Sequence, residues 1–281
     1  MGSFRMRYLN LKLENSKFMM IHLKPNSSDP LEHSHGNDFQ MSIPLFGSTF
    51  IEINNKTVIL EKQHRFITAP GEKHIHFTDK DEGKVLLINI KKEFLEKVYF
   101  ERLAGQSNEI SFSSINVGSS ELFIKIAETA VRQNLFGNTN KIEIQQLEWE
   151  LANLVFSQHE GPHNELWRKE VTLPNHPLLK RVVDFIHEQY NSEITLDQLS
   201  EESGISRFYF LRLFKEVTGF TPSQYITKVR LDHSVNLLKH TKKDITMIAY
   251  EVGFGSLGSF ERAFKKRFGI NASEFRKKIN H

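Results

Sequence analysis

The sequence predicts a multidomain α+β chain: a small β-barrel or sandwich first, helices after it, then an all-α domain built on two helix-turn-helix motifs. Three observations predict this. Short β-rich runs with apolar alternation fill the first third of the chain. The apolar period then becomes helical and stays helical to the end. Within the C-terminal part, one frame of residues occurs twice, fifty positions apart. The 281 residues suffice for about two domains.

Composition narrows the classes. Hydrophobic residues at 39% and charged residues at 25% describe a globular chain able to bury cores. The absence of cysteine excludes disulfides, zinc ribbons and thiol catalysis, and suits a reducing cytosol. The start, MGSFRMRYLNLKLENSKFMM, lacks the apolar run of a signal peptide, and no segment has the length of apolar sequence that spans a bilayer. A cytoplasmic protein with no membrane partner is expected. From Pro177 onward 17 Lys and Arg face 12 Asp and Glu, whereas the preceding part has 20 against 22. The basic excess of the C-terminal part suits a polyanionic partner.

The elements follow in order. MSIPLFGSTFIEINN, KTVILEK, RFITAP and KVLLINI read as strands, with Asn54-Asn55 and Asp81-Glu82-Gly83 as turns. EFLEKVYFERL, SSELFIKIAETAVRQNLF and KIEIQQLEWELANLVF read as amphipathic helices. In the last, Ile144, Leu147, Leu151 and Leu154 form a seam that could pair with its copy in a homodimer or pack on the barrel. Gly161, Pro162, Pro174 and Pro177 interrupt the pattern. The expected organisation is a sensing and dimerisation domain over 1–160, a linker over 161–176, and a helical domain over 177–281.

The repeat falls in that last domain. Ser206, Phe210, Arg212, Phe214, Lys215, Gly219, Ser223 and Tyr225 match Ser256, Phe260, Arg262, Phe264, Lys265, Gly269, Ser273 and Phe275. Upstream, Thr195, Leu199 and Gly204 match Asp244, Ile248 and Gly253 at an offset of 49. Thr195 and Asp244 are N-cap residues, with Gln198 completing a capping box for the first. Gly204 and Gly253 end a short helix, and Ser206 and Ser256 begin the next. Residues 195–219 and 244–269 thus read as two helix-turn-helix motifs, joined by a helix that Pro222 opens. Both second helices keep Arg and Lys in register opposite their apolar face, which packing alone does not require.

Over about residues 177–281 the sequence resembles the AraC family of bacterial transcription regulators. IAYEVGFGSLGSFERAFKKRFGINASEFRK carries the signature of that family. The resemblance implies two recognition helices in adjacent major-groove segments, about 34 Å apart along promoter DNA. It implies contact with RNA polymerase as well. By position, the first recognition helix presents Arg207, Phe208, Leu211 and Arg212, and the second presents Leu257, Gly258, Glu261 and Arg262. Arg212 and Arg262 suit guanine, and Glu261 could accept from a cytosine amine. Lys215, Lys265, Lys266 and Arg267 read as phosphate partners.

In the N-terminal part, His33 and His35 alternate, as do His74 and His76, so each pair points to one face of a strand. Paired histidines on strands resemble a cupin barrel. Where a metal-binding cupin has its carboxylate, five residues after His35, stands Gln40, so no metal or other cofactor is expected. A metal-dependent cupin enzyme with an appended DNA-binding domain is the alternative reading, but no nucleophile–base constellation or phosphate loop is apparent. The resemblance implies a small-molecule effector, such as a sugar. His33, His35 and His74 are its candidate polar contacts, and Phe39, Phe46 and Phe77 its candidate walls, with an arm before Pro25 that could close over the site.

Overall fold

The computed structural model describes residues 9–102, 110–135, 141–164, 167 and 177–279. Its strands are β1 (Leu9–Lys12), β2 (Ser16–Leu23), β3 (Asp38–Phe46), β4 (Thr49–Ile53), β5 (Lys56–Leu60), β6 (His64–Thr68), β7 (His74–Phe77), β8 (Gly83–Lys91) and β9 (Ile115–Val117). Helix α1 (Lys92–Arg102) precedes β9, and α2 (Glu121–Leu135) and α3 (Lys141–Gln158) follow it. Then come α4 (Pro177–Gln189), α5 (Leu196–Ser203), α6 (Arg207–Thr218), α7 (Pro222–His240), α8 (Ile245–Glu251), α9 (Leu257–Phe268) and α10 (Ala272–Ile279). The chain divides into two compact units, Met1–Val131 with Glu148–Glu170, and Arg132–Leu147 with Val171–His281.

In the first unit the strands pair antiparallel in two sheets, ordered β1-β2-β8-β3-β6-β9 and β5-β4-β7. The expected barrel is therefore not a single closed sheet among the described residues. Ile51, Ile53 and Leu60 of the smaller sheet instead cluster with Phe66 of the larger. Strand β8 is buried at every position from Val85 to Ile90, as befits a strand covered on both faces. Its register with β3 sets Phe39, Met41 and Ile43 opposite Ile90, Ile88 and Leu86. Gln40 and Ser42 lie opposite Asn89 and Leu87 on the other face. The apolar face continues outward through rings: Phe39 lies 5.3 Å from Phe112, Phe112 5.5 Å from Phe156, and Phe156 stacks on Trp167 at 4.4 Å. Asn54 and Asn55, at φ of 50° and 58°, turn β4 into β5, a left-handed pair that asparagine tolerates.

Three expectations need correction here. The arm before Pro25 is, from Leu9 to Leu23, two strands paired at the edge of the large sheet; residues 1–8 lie outside the described residues. The seam on α3 is not an open dimer face, because Leu147 and Leu151 are buried within the chain and Ile144 and Leu154 are half-buried. The start of the expected linker is folded: the Trp167 N–H donates to the His163 carbonyl at 2.7 Å, and Trp167 is buried. Residues 165–166 and 168–176 of that linker lie outside the described residues.

A buried cation closes the end of α3. Arg65 of β6 donates to the carbonyls of Ser119 at 2.8 Å and Gln158 at 3.2 Å, and its Nε donates to His159 Nε2 at 3.4 Å. The Gln158 carbonyl belongs to the negative end of the helix dipole, so the guanidinium is compensated without a carboxylate. His159 Nδ1–H donates to the Val155 carbonyl at 3.0 Å, which leaves Nε2 to accept from Arg65. This proton arrangement requires a neutral imidazole.

The second unit carries the duplicated module. Thr195 and Gln198 form the capping box of α5, and Asp244 caps α8 by accepting from the Thr246 N–H at 2.7 Å. Gly204 ends α5 in the left-handed region at φ 67°. Gly253 follows α8 at φ 88°, and a Cβ there would lie 2.8 Å from Asn191 Cα, so both conformation and space require glycine. Phe210, Leu213 and Phe214 form the buried face of α6, and Phe260 and Phe264 that of α9. Thr221 and Gln224 box the start of α7, with Pro222 in its first turn. Arg230 of α7 is buried and donates to the carbonyls of Tyr190 at 2.6 Å and Ser192 at 2.8 Å, holding the end of α4.

His159 makes the first unit acid-sensitive. Burial, ahead of the nearby Arg65 and His163 charges, lowers its pKa from 6.5 to about 4. Between those values the unfolded chain binds a proton that the folded chain refuses, so stability falls as pH drops through that window. His159→Gln should shrink the stability difference between pH 7 and pH 5 by about 2 kcal/mol. Both tryptophans, Trp149 and Trp167, lie in this unit, so urea unfolding followed by their fluorescence reads it alone. An unchanged pH dependence in the variant would refute the assignment.

Candidate functional site

Two constellations stand out, one in each unit. In the first, β7 turns His74 and His76 toward the same side as Gln40 and Ser42 of β3, and all four are buried. His33 and His35 arrive from a different element than expected. They lie not in a strand but in the loop before β3, where His33 exchanges backbone hydrogen bonds with His74 at 3.0 and 2.9 Å. The rings of His33, His35 and His74 converge, with centroids 4.9 to 5.1 Å apart.

Gln40 bridges this cluster. Its amide nitrogen lies 2.6 Å from His35 Nε2, and its amide oxygen accepts from His74 Nε2 at 2.9 Å. His33 donates through Nδ1 to the Leu31 carbonyl at 3.0 Å, leaving its Nε2 with a lone pair. Burial, followed by neighbouring histidine charges, lowers His35 and His74 to about 4, so both are neutral at pH 7. One nitrogen from each of the three lies within 4.8 Å of the others. Neutral imidazoles so placed fit a divalent transition ion, although Gln40 stands where a carboxylate ligand was sought.

Beside the cluster runs a buried relay. Asp29 accepts from both the backbone N–H and Nδ1 of His76 at 3.0 Å, and His76 Nε2 meets Ser42 Oγ at 2.9 Å. Burial pushes the Asp29 carboxyl up, but the His76 hydrogen bonds outweigh it and hold the group below its ordinary value. The order Ser–His–Asp is that of a nucleophilic triad. Ser42 and His76 are nonetheless fully buried, so no substrate carbonyl reaches them; the relay anchors β7 instead. Sequence spacing gave no sign of Asp29 or Ser42, because loop and strand meet only in the fold.

None of the three expected wall residues is at this site. Phe39 lies on the opposite, apolar face of β3, a consequence of strand parity. Phe46, past the register shift at Pro44, is 57% exposed at the strand end. Phe77 stacks on Phe50 at 5.1 Å, on the side of β7 away from His74 and His76.

The second constellation is the pair of helices α6 and α9. Arg212 and Lys215 are exposed on α6, and Arg262 and Lys265 on α9, so both copies offer Arg and Lys three residues apart on a solvent face. Gly258 stands beside Arg262: a Cβ there would meet its guanidinium at 3.4 Å. Lys266 is exposed, Leu211 half-buried. Several predicted readers are otherwise occupied. Phe208 is buried, and Leu257 packs against the core that contains Phe260 and Phe264. Arg207 donates through Nε to Asp197. Glu261 accepts from the Ala272 N–H at 3.3 Å, at the start of α10. Arg267 donates to the Lys228 carbonyl at 2.7 Å and to Asp232 at 2.5 Å, which ties α9 to α7.

Comparison with known proteins addresses the second unit most directly. Residues 199–278 match the helix-turn-helix domain family. The chain is 33% identical over 139 residues to the lactose operon transcription activator of Staphylococcus xylosus, across 50% of this chain and 48% of the activator. It therefore spans about half the length of that curated relative. It is 37% identical over 100 residues to the transposon Tn10 TetD protein of Escherichia coli, across 36% of this chain and 72% of TetD. A solved transcriptional regulator of Chromobacterium violaceum, described by its AraC-type DNA-binding domain, is 30% identical. That match covers 37% of this chain and 92% of that one, with a TM-score of 0.35. The lactose operon activator and the Chromobacterium violaceum protein are transcriptional regulators, and the chain, with its N-terminal β-sheet unit and C-terminal helical unit, belongs to the AraC family of helix-turn-helix regulators.

Proposed function

We propose that the chain is a sequence-specific regulator that reads two adjacent major-groove segments through α6 and α9, under control of a small polar effector held by the first unit. One observation carries the DNA part: exposed Arg212 and Lys215 recur as Arg262 and Lys265 at the same offset of fifty. A guanidinium suits two acceptors on guanine, whereas a lysine three residues on suits a phosphate. The working domains are 1–160 for sensing and 177–281 for DNA, as the sequence expects.

The polar inner face supports the effector part. His33 and His35, both half-exposed, stand next to buried Gln40 and His74, offering imidazole and amide groups to a ligand rich in hydroxyls. A sugar fits this chemistry, and the lactose operon activator is a relative across half of this chain. No helix among the described residues is long and apolar enough to cross a membrane.

Selection of bound duplexes from a random pool by the full chain should recover sites with two conserved blocks about one helical turn apart. Recovery of a single block, or of salt-sensitive binding without sequence preference, would overturn the paired-reader assignment.

The two modules are separable by substitution. Arg212→Ala and Arg262→Ala should each cost about 1–3 kcal/mol and relax preference at different positions of the site. Lys215→Ala and Lys265→Ala should weaken binding evenly across sequences, each reducing the salt slope by about 1. Quantitative gel shifts on the selected site and its single-base variants test both. If Arg262→Ala lowers affinity equally for every variant, the second module positions the protein and does not read.

A further inference from the structure

We propose that Gly258 is the positioning residue for Arg262: the missing side chain in the first turn of α9 opens the lane along which the arginine leans, and so sets which base its guanidinium reaches. The inference rests on the reading of Arg262 as a base reader. It gives Gly258 a part in recognition without any contact of its own.

Three observations carry it. The first is geometric. Helical side chains lean toward the helix N-terminus, so each covers the turn before its own. For Arg262 the residue four before it is Gly258, and a Cβ there would lie 3.4 Å from Arg262 Nη1. Among the described residues, and apart from its chain neighbours, no other side chain lies within 4 Å of that point. The space is thus contested by the guanidinium alone.

The second is conformational. Gly258 is not at positive φ, so the backbone does not call for glycine there. Glycine is also a poor helix former, and any residue but proline would hold the turn better. The turn is secured by its neighbours instead: Ser256 Oγ accepts from the Ser259 N–H at 3.2 Å, and Ser259 Oγ donates to the Ser256 carbonyl at 2.8 Å. Neither dihedral angles nor packing require this glycine, which leaves the side chain that passes over it.

The third is the repeat. Position 258 matches position 208, and Phe208 is a buried ring. The first copy uses the position for packing, whereas the second leaves it bare and exposed. Both copies keep the arginine four residues on, as Arg212 and Arg262. The neighbours of Gly258 do not fill the gap: Leu257 packs against the core and Ser259 is held by the cap. In a helix-turn-helix the N-terminal residues of the recognition helix meet the base edges. Lying over the first turn carries the Arg262 guanidinium to that end.

The test is base discrimination by the full chain. The position that Arg262 reads is the one whose preference Arg262→Ala relaxes, and gel shifts on the selected site and its variants at that position measure the discrimination. Gly258→Leu should lower it about tenfold. Gly258→Ala should lower it less, and preferences at the positions read by α6 should be unchanged in both. In the Arg262→Ala background, Gly258→Leu should lower discrimination no further, because a residue that acts through another has no effect without it. Thermal unfolding followed by circular dichroism should find neither variant less stable than the wild type, since alanine and leucine both favour helix over glycine. A merely structural glycine would move that stability and not the preference at one base pair. Full discrimination in Gly258→Leu, where Arg262→Ala has lost it, overturns the proposal and leaves the reading of Arg262 standing. So does a loss of affinity equal on every sequence, which would mark a clash between leucine and DNA. If Arg262→Ala relaxes no position, the reading of Arg262 fails and the proposal falls with it.

Discussion

The antiparallel register of β3 on β8 is the constraint on which the first unit depends. Side chains of a strand alternate between faces, so pairing Gln40 with Asn89 sends Gln40 and Ser42 one way and Phe39, Met41 and Ile43 the other. The apolar set meets Phe112 and, through it, α3. The polar set meets β7 and its two histidines. A slip by one residue would bury the amide among phenylalanines and set Met41 against the histidines of β7, so the same pairing that builds the core also builds the site. Strand β8 is buried over six successive residues, which makes any other register costly.

Both units bury a cation and satisfy it in the same way. Arg65 and Arg230 both donate to backbone carbonyls at or just past a helix end, Gln158 of α3 and Tyr190 after α4, and Arg230 has the Glu143 carboxylate nearby as well. Burial lowers both pKa values, Arg230 to about 10, yet each stays charged at neutral pH. A carbonyl at a helix end carries partial negative charge and needs a donor in any case. One buried arginine therefore resolves two deficits, the orphan carbonyls and its own desolvation. This explains why Arg65, fully buried beside neutral His159, backbone oxygens and the ring of Phe123, is tolerated.

What could be read from the sequence was local. The two helix-turn-helix motifs are written in caps and stops within a few residues of each other, and Thr195, Gln198, Gly204, Asp244 and Gly253 do in the structure what their positions predict. The strands with clear alternation were legible for the same reason. Strands β1, β2 and β9 were not: β1 has only four residues, FMMI in β2 carries no alternation, and β9 has three residues whose role appears only beside β6. The histidine cluster was half legible. Identity and spacing pointed to His33, His35 and His74, but Asp29 and Ser42 reach His76 across 47 and 34 residues of chain. Phe39 and Phe46 were misplaced for want of a register: parity assigns Phe39 to the core, and the bulge at Pro44 turns Phe46 outward. The seam on α3 left pairing and packing both open, and the burial of Leu147 and Leu151 within the chain favours packing.

The duplicated module shows how a repeat divides labour between packing and reading. Of the matched positions, the phenylalanines at 210 and 214 and at 260 and 264 are fully buried in both copies, as a shared core demands. The positions that diverged were drawn into each copy's own structure. In the first, Arg207 is tied to Asp197 and Phe208 is buried; in the second, Glu261 meets the start of α10 and Arg267 is held by α7. A side chain engaged in this way must break an internal contact before it can meet a base, and that cost is subtracted from its contribution to binding. What both copies keep in common on the solvent side is an arginine and, three residues later, a lysine. An arginine and a lysine kept in register on an exposed face suit a polyanionic partner, and packing alone does not require them.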